Sequence, residues 1–262
     1  MPDPEAPSRS AVATRSGITL DHFDHGVSEL VIDRFAQRNA LSSAVLDEIV
    51  VGLEKTVAVG NRIIILRGSN GFFSAGADVT ELTGMIADQE HDAKVAAVVD
   101  ALTNGPVVSI AAVERGCIGA GLELAAACDV RIADSTTFFA FPALEMGLVY
   151  RPAALSRTVR LVGPAAATRM LILGERLMLD EAYQCGLVTT TAFTGDVYAT
   201  ARTLADRLSG VPSDVLRDTA RILSSVLAGS DEPDRWMNEH LESFASLSRY
   251  ESVTAKKNAM KK

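Results

Sequence analysis

The chain of 262 residues carries 25 Lys and Arg against 33 Asp and Glu, which gives a net charge of -8 at pH 7 and an isoelectric point near 5.1. Sequence-independent binding to nucleic acid or anionic lipid depends on an excess of basic residues, so this balance argues against both. Hydrophobic residues make up 48% of the chain, enough for a substantial core, but no apolar run is long enough to predict a membrane-spanning helix.

The first predicted elements are a leader and a hairpin. Residues 1–16 are rich in Pro, Ser and Thr and lack the apolar core of a signal peptide, so we expect a disordered leader. Two short runs, Gly17–Phe23 and Gly26–Asp33, are joined by a turn and predict paired strands. The patterns then predict, in order, a helix from Ser42 or Ser43 to about Ala58, a buried strand at Arg62–Arg67, a helix around Asp92–Leu102, a strand at Val107–Val113, a helix at Leu122–Ala127, and short strands at Asp129–Ala133 and Thr137–Phe141.

Helical patterns dominate the chain from Pro152 onward, with a break predicted at Gly163-Pro164. We therefore expect a layered α/β core over residues 17–190 and a helical region over residues 191–262. Because the composition does not shift at any linker, we expect the helical region to pack on the core.

Two glycine-bearing loops each follow a predicted strand. In Ser74-Ala75-Gly76-Ala77-Asp78, small side chains allow a ligand to approach the backbone, and peptide N–H groups can converge on one oxygen. Gly119-Ala120-Gly121 stands where a helix begins, so its free N–H groups favour negative charge. For each loop taken alone, a tight turn is the favoured interpretation. Two amide donors from separate loops, however, are what an oxyanion hole requires.

Four stretches of the chain resemble the crotonase (enoyl-CoA hydratase/isomerase) superfamily. They are Gly71-Phe72-Phe73-Ser74-Ala75-Gly76-Ala77-Asp78, the segment from Ala111 through Gly119-Ala120-Gly121-Leu122-Glu123 to Asp129, Arg38-Asn39-Ala40-Leu41, and Ala182–Val188. This resemblance implies an α/β fold with a core of repeated ββα units and a helical C-terminal region that serves in trimerisation and covers the active site. It also implies an acyl-CoA thioester as substrate, a homotrimer or dimer of trimers, and no cofactor beyond the coenzyme A of the substrate.

The resemblance assigns roles to residues of both loops. It implies that the peptide N–H groups of Ala77 and Ala120 form the oxyanion hole, and that the substrate and its CoA lie along residues of the first loop, the second loop and the Arg38 segment. This predicted binding set is Arg38, Ala40, Leu41, Ala75, Gly76, Asp78 and Gly119. For Asp78, capping of a following helix is the favoured interpretation and weak proton acceptance the alternative. Arg34 and Arg38 are candidates for contact with the CoA phosphates, and solvated arginines explain them equally well. Lys256 and Lys257 are candidates for the adenine-ribose phosphate, although a solvated terminal run is the favoured interpretation.

The match breaks at the second catalytic carboxylate. Hydratases of the family use two carboxylates, and Glu123 matches the first, on the helix after the second loop. The residue after the later proline, where the second is expected, is Ala143, whose methyl group cannot transfer a proton. Glu145 is a candidate replacement, but an offset of two extended residues moves a carboxylate by roughly 6 to 7 Å, so a structural or subunit-contact role is favoured. Tyr150 is a further catalytic candidate, as a hydrogen-bond donor to substrate, or a buried aromatic without that role.

Cysteine and histidine spacings predict no metal site. Cys117, Cys128 and Cys185 are odd in number and too widely spaced for a metal knuckle or a disulfide framework, which favours a reducing cytoplasm. Of the histidines, only His91 lies in a segment that could line an acyl pocket, and we expect it to be exposed.

Three functions remain open at this stage. The leading hypothesis is an enoyl-CoA hydratase or isomerase in which Glu123 handles the proton. The second is an acyl-CoA binding protein that kept the fold and lost the chemistry. The third is another reaction of the superfamily that needs one carboxylate, such as decarboxylation, C–C cleavage or a double-bond shift.

Overall fold

A computed structural model describes residues 12–13, 16–142, 144–227, 229 and 236–259. The strands are β1 (Val12–Ala13), β2 (Ile18–Phe23), β3 (Val27–Ile32), β4 (Ile63–Gly68), β5 (Val108–Val113), β6 (Gly116–Ile118), β7 (Val130–Ala133), β8 (Phe138–Ala140), β9 (Leu177–Met178) and β10 (Thr190–Thr191). The helices are α1 (Ser43–Ala58), α2 (Gln89–Asn104), α3 (Ala120–Ala127), α4 (Pro152–Leu171), α5 (Leu179–Gln184), α6 (Val197–Ser209), α7 (Ser213–Leu227), α8 (Met237–Ala245) and α9 (Leu247–Ala259). None of the described helices is long and apolar enough to cross a bilayer.

The strands form two sheets, and the chain alternates between them to give the ββα pattern. The larger sheet has the order β1-β2-β3-β4-β5-β7-β10, and the smaller has the order β6-β8-β9. From β3 onward, neighbouring strands of the larger sheet run parallel. The unit β5-β6-α3 is followed by β7-β8-α4, and in each unit the first strand lies in the larger sheet and the second in the smaller. The α/β core of repeated ββα units with a helical C-terminal region is therefore confirmed.

The larger sheet is buried on both faces, as its unbroken β-branched runs predict. On one face, Ile64 and Leu66 of β4 pack with α1, α2 and α3 in the main core. On the other face, Ile63 and Ile65 pack against Val197, Ala201 and Ala205 of α6. The second face of the core is therefore covered by a helix that follows residue 190.

Local sequence signals account for the start of α1 and the break in α4. The Ser42 side chain accepts a hydrogen bond from Val45 N (3.3 Å) and caps α1 as predicted, and α4 breaks at Gly163, whose φ is +77°. Residues 1–11 and 14–15 of the predicted leader lie outside the described residues. Two residues of the predicted leader, Val12 and Ala13, pair with β2. The expectation of disorder is wrong for these two residues, because the open edge of β2 offers backbone groups for pairing.

Parallel connections bring the two glycine-bearing loops to the same edge of the sheet. The first loop follows β4, and the second follows the β5-β6 pair. Because the carboxyl ends of neighbouring parallel strands meet at one edge, both loops and the start of α3 face one another there. A short bridge between Ser74 and Cys117 joins them.

Candidate active site

The first loop leaves one amide without a partner. In the turn Ala75-Gly76-Ala77-Asp78, the N–H of Ala75 donates to Arg38 O (2.9 Å), that of Gly76 to Ser74 Oγ (3.1 Å) and that of Asp78 to Leu41 O (3.0 Å). The N–H of Ala77 donates to no group among the described residues, and Ala77 itself is half-buried. This turn therefore holds a fixed, unpaired amide donor.

The second loop presents an equivalent donor at the start of α3. The N–H of Gly119 donates to Ala140 O (2.9 Å), and the N–H of Glu123 closes the first turn of the helix on Gly119 O (3.0 Å). Ala120 is the first helical residue, and its N–H likewise has no partner in the described part of the chain. A helix start leaves such groups free and favours negative charge nearby.

The two unpaired donors belong to loops that touch each other. Gly76 has a φ of +92°, and a Cβ placed on it would lie 3.4 Å from the amide nitrogen of Ala120 and 2.7 Å from Ile118 O. A Cβ on Gly121 would lie 2.7 Å from Ser74 Cβ. The glycines at these two positions are therefore required for the close approach of the loops.

The predicted CoA-binding segment lies alongside the first loop. Leu41 forms a parallel bridge with Ala77, in which the N–H of Leu41 donates to Gly76 O (2.8 Å). Arg38 has a left-handed backbone (φ +51°), its carbonyl holds Ala75, and its side chain is exposed. Thus residues Arg38, Ala40, Leu41, Ala75, Gly76 and Asp78, predicted from two separate stretches of sequence, form one surface.

Asp78 stabilises this surface and does not cap a following helix, because no α-helix begins between Asp78 and Gln89. Its carboxylate is buried and accepts hydrogen bonds from Thr80 Oγ1 (2.7 Å), Thr80 N (3.1 Å) and Arg34 Nη2 (2.8 Å). The hydrogen bond from the Thr80 hydroxyl contributes most to holding the pKa of Asp78 below its ordinary 3.8, although burial opposes it. Arg34 also donates to Ala40 O (2.7 Å), so its guanidinium ties the two segments together.

Glu123 is a buried carboxylate on α3, one helical turn after Gly119. Its side chain is 7% exposed and accepts no hydrogen bond from the described residues. The pKa of Glu123 is raised from 4.5 to about 7, mainly by burial and secondly by the charge of Asp92, while Arg157 and Arg151 oppose the rise. A carboxyl group with this pKa can both accept and return a proton near neutral pH.

Tyr150 lies beside Gly119, and its hydroxyl oxygen would be 3.3 Å from a Cβ placed there. The ring packs edge-on against Phe141 with centroids 4.8 Å apart. Burial, with a smaller contribution from the charge of Glu123, raises the pKa of Tyr150 above its ordinary value. Ala143, the position of the missing second carboxylate, lies outside the described residues.

Several predicted candidates lie away from this cluster. Glu145 is exposed, and its Oε1 lies 3.9 Å from a Cβ placed on Gly174. Lys256 and Lys257 are exposed on α9. His91 was expected to be exposed, and this is wrong: it is 8% exposed because it lies in the first turn of α2 against α1, with Nδ1 3.5 Å from Ser43 Oγ.

Sequence reasoning missed the residues that hold the site together. Asn39 is fully buried, donates to Ser69 O (3.1 Å) and accepts from Arg34 N (3.0 Å), while Ser74 Oγ donates to Asn39 O (2.8 Å). Arg151 forms an ion pair with Asp92 of α2, next to Glu123. Asn39 and Ser74 could have been noticed as polar residues inside otherwise apolar motifs. The Arg151–Asp92 pair spans 59 residues and therefore has no local sequence signal.

Similarity to known proteins identifies the family to which this fold belongs. The family model described as "Enoyl-CoA hydratase/isomerase" matches residues 22–255. The chain therefore belongs to the enoyl-CoA hydratase/isomerase family, within the crotonase superfamily, and is an acyl-CoA-processing enzyme of the lyase or isomerase class.

Individual relatives cover most of the chain. A "Probable enoyl-CoA hydratase" of Bacillus subtilis is 32% identical over 192 residues, which is 71% of this chain and 74% of the relative. The 2,3-dehydroadipyl-CoA hydratase of Escherichia coli is 34% identical over 61% of this chain and 63% of its own length. The crystal structure of an enoyl-CoA hydratase subunit from Geobacillus kaustophilus superposes with a TM-score of 0.83 at 28% identity and covers 93% of this chain and 95% of that chain.

Proposed function

We propose that this enzyme moves a proton between C2 and C4 of an unsaturated acyl-CoA, converting a 3-enoyl-CoA into the conjugated 2-enoyl-CoA, with Glu123 as its single acid and base. The observation that carries this proposal is one buried carboxylate, of pKa about 7, beside two unpartnered amide donors. Ala143 leaves no second carboxylate at the position expected in a two-carboxylate hydratase.

In this proposal the N–H groups of Ala77 and Ala120 both donate to the thioester oxygen. Negative charge grows on that oxygen as the enolate forms, so donors fixed in advance stabilise the transition state more than the substrate. Removing one such donor typically costs about 3 to 4 kcal/mol in the barrier. Because backbone amides cannot be removed by side-chain substitution, displacing the loops is the practical way to test them.

Proton transfer then needs only Glu123. The ionised carboxylate takes a proton from C2, and the electron pair of the C–H bond spreads over the thioester oxygen and the C3–C4 double bond as a dienolate. Glu123 returns the proton to C4, and the double bond is left between C2 and C3. Since the proton that leaves C2 is the one delivered to C4, no second acid is required.

Coenzyme A is proposed to lie along the surface formed by Arg38, Ala40, Leu41, Ala75, Gly76 and Asp78, with Gly119 beside the thioester. The exposed Arg38 side chain is available to a phosphate, whereas Arg34 is engaged by Asp78 and Ala40. No cofactor beyond the substrate's own CoA is needed for this chemistry.

Hydration of a 2-enoyl-CoA is the second candidate, and it is favoured by the hydratase names of the relatives. It requires Glu123 alone both to activate water and to supply the proton. An acyl-CoA binding protein without chemistry is the remaining alternative.

One experiment separates these functions. The purified protein and its Glu123→Gln variant are mixed with 3-hexenoyl-CoA and, separately, with crotonyl-CoA, and the absorbance of the conjugated thioester is followed. A gain with 3-hexenoyl-CoA that Glu123→Gln abolishes supports isomerisation. A loss with crotonyl-CoA and no gain with 3-hexenoyl-CoA would replace isomerisation by hydration, and tight binding of both esters without any change would leave a binding protein.

We also infer a cytoplasmic homotrimer or dimer of trimers, to which residues 191–262 contribute contacts and a cover for the site. Large apolar side chains exposed at Leu144, Met146, Leu148 and Val149, and again on α8 and α9, support an assembly that buries them. Sedimentation of the purified protein tests the number of subunits.

A further inference from the structure

An ion pair lies beside Glu123 and joins two of the helices around it. Arg151 Nε donates to Asp92 Oδ2, and the two side chains are 36% and 45% exposed. Asp92 lies in the first turn of α2, and Arg151 immediately precedes α4. Both helices pack against α3, which carries Glu123. The pair therefore lies at the half-exposed rim of the candidate site.

The backbone on both sides of Arg151 sets its position. The preceding residue, Tyr150, has its hydroxyl oxygen 3.3 Å from a Cβ placed on Gly119, one helical turn before Glu123. Pro152 begins α4, and a proline restricts the backbone of the residue before it. These two neighbours place the Arg151 side chain on the Glu123 side of the site, from which it reaches α2.

The charge of Arg151 acts on Glu123 as well as on Asp92. Burial contributes most to the raised pKa of Glu123, the charge of Asp92 adds to the rise, and the charges of Arg157 and Arg151 oppose it. Asp92 and Arg151 therefore act on Glu123 in opposite directions. Because Glu123 accepts no hydrogen bond from the described residues, its carboxylate is an open partner for a guanidinium released from Asp92.

Further titratable groups lie on the elements packed against α3. Burial raises the pKa of Tyr150 and that of the Cys117 thiol on β6, so both groups keep their protons near neutral pH. Burial lowers the pKa of His91, the neighbour of Asp92, below 6.5, so its ring is neutral at pH 7. Arg157 of α4 stays charged, and its effect on Glu123 is constant over this range.

We propose that Asp92 is a positioning residue that holds Arg151 away from Glu123, so that the Glu123 carboxyl group stays free to take a proton from the substrate and to return it. A carboxylate bonded to a guanidinium is a weaker base, because the charged form is stabilised. Asp92 acts through Arg151 and exchanges no proton with the substrate itself. This inference rests on the proposed function, since that function assigns the proton transfer to Glu123.

The first test titrates Glu123 directly and needs no turnover. Protein with isotope-labelled glutamate carboxyl groups is titrated by NMR, and the Glu123 signal is identified by its loss in Glu123→Gln. Asp92→Asn should lower the pKa of Glu123 by about 1 to 2 pH units. Asp47→Asn is the matched control, since it breaks a similarly exposed pair that joins α2 to α1 through Lys94, and it should leave the titration of Glu123 unchanged.

A double variant distinguishes the release of Arg151 from a simple loss of negative charge. Arg151→Gln should raise the pKa of Glu123 both in the wild type and in the Asp92→Asn background. The rise should be larger in the Asp92→Asn background by about 1 pH unit, because there Arg151 is paired with Glu123. Equal rises in the two backgrounds, or a Glu123 titration unchanged by Asp92→Asn, overturn the inference.

Kinetics connect the position of Arg151 to the reaction. With 3-hexenoyl-CoA, Asp92→Asn should lower kcat by about three- to tenfold, since a weaker base removes the proton more slowly, and should change KM by less than about twofold. Asp92→Glu keeps the charge and should restore most of kcat. An Asp92→Asn enzyme with a shifted titration and unchanged kcat overturns the positioning role. A wild type that does not isomerise the ester contradicts the proposed function, whereas the titrations still decide whether Asp92 holds Arg151 away from Glu123.

Discussion

Two buried carboxylates flank the paired loops, and they differ in almost everything except burial. Asp78, beside the first loop, is 4% exposed and accepts hydrogen bonds from Arg34 and Thr80, so its pKa lies below 3.8. Glu123, beside the second loop, is 7% exposed and accepts none from the described residues, so its pKa rises to about 7. Partners, and not proximity to a glycine loop, therefore decide which carboxylate can exchange a proton near neutral pH.

This difference in pKa suits the two carboxylates to different roles, a structural one for Asp78 and proton transfer for Glu123. The Asp78 side is a fixed platform in which an ion pair and backbone bonds hold the predicted CoA surface together. Glu123 is desolvated and is flanked by the Arg151–Asp92 pair and by Arg157. With a pKa of about 7, its carboxyl group can gain or lose a proton near neutral pH. The following predictions test that division.

The largest effect is expected from removing the exchangeable proton. Glu123→Gln keeps the shape of the side chain and should lower kcat for 3-hexenoyl-CoA by about 10³-fold or more, because general acid and base catalysis contributes on this scale. Exposed Glu54→Gln on α1 serves as the matched control. Glu145→Gln should change kcat less than about twofold, because the Glu145 carboxylate lies beside Gly174. A large loss of kcat in Glu145→Gln would instead give Glu145 the role assigned to Glu123.

A smaller loss is expected from separating the two amide donors. Gly76→Ala places a Cβ 2.7 Å from Ile118 O and forces the loops apart, so kcat/KM should fall by about 10²-fold. Gly84→Ala is the control, since Gly84 also has a positive φ (+71°) but no atom within 4 Å of the added Cβ. The kcat/KM of each variant is measured by steady-state kinetics. Equal losses of kcat/KM in the two variants would mean that backbone strain, and not the separation of the loops, causes the effect.

The platform role of Asp78 predicts a loss of stability. Asp78→Asn leaves the Arg34 guanidinium without its charged partner and should lower the free energy of unfolding by about 3 kcal/mol, as measured by denaturant unfolding. Asp47→Asn breaks an exposed pair with Lys94 and should cost less than about 1 kcal/mol. An Asp78→Asn protein of unchanged stability and strongly reduced kcat would contradict the contrast, because Asp78 would then be catalytic.

The raised pKa of Glu123 predicts an opposite effect on stability. The folded state binds the Glu123 proton more tightly than the unfolded chain, so its contribution is fully present below pH 4.5 and is lost as the pH rises through about 7. The difference between these pKa values corresponds to about 3 kcal/mol at most. Glu123→Gln should therefore gain stability relative to the wild type between pH 5 and pH 8 in urea unfolding, and parallel pH profiles would show that the pKa is not raised.

Most of the fold could be predicted because its signals are local. The β-branched run of β4, the serine cap of α1 and the glycine break in α4 each act within a few residues. The short strand β6 inside the second loop was not predicted, because its three residues form a strand only by pairing with β8. The pairing of Val12–Ala13 escaped prediction for the same reason.

The loops of the candidate site were predictable from local sequence, whereas its side-chain environment was less so. Glycine spacing located both loops, and the motif resemblance implied the amides of Ala77 and Ala120 and the carboxylate of Glu123. The pKa of Glu123 is set first by its burial in the fold and then by the charges of Asp92, Arg157 and Arg151 on α2 and around α4, which are distant in sequence. The lowered pKa of Asp78 depends most on Thr80, two residues further along the chain, and to a smaller extent on Arg34, which lies 44 residues away.

The most direct test of a single carboxylate acting with two amides is hydrogen exchange at C2 of butyryl-CoA, which has no double bond to move. In deuterated water, NMR should show deuterium entering C2 with the wild type, at a rate that rises as the pH increases and levels off above about 7, where Glu123 is ionised. Glu123→Gln should show no exchange above the uncatalysed rate. Exchange at the wild-type rate in Glu123→Gln, or none in the wild type, would contradict this account.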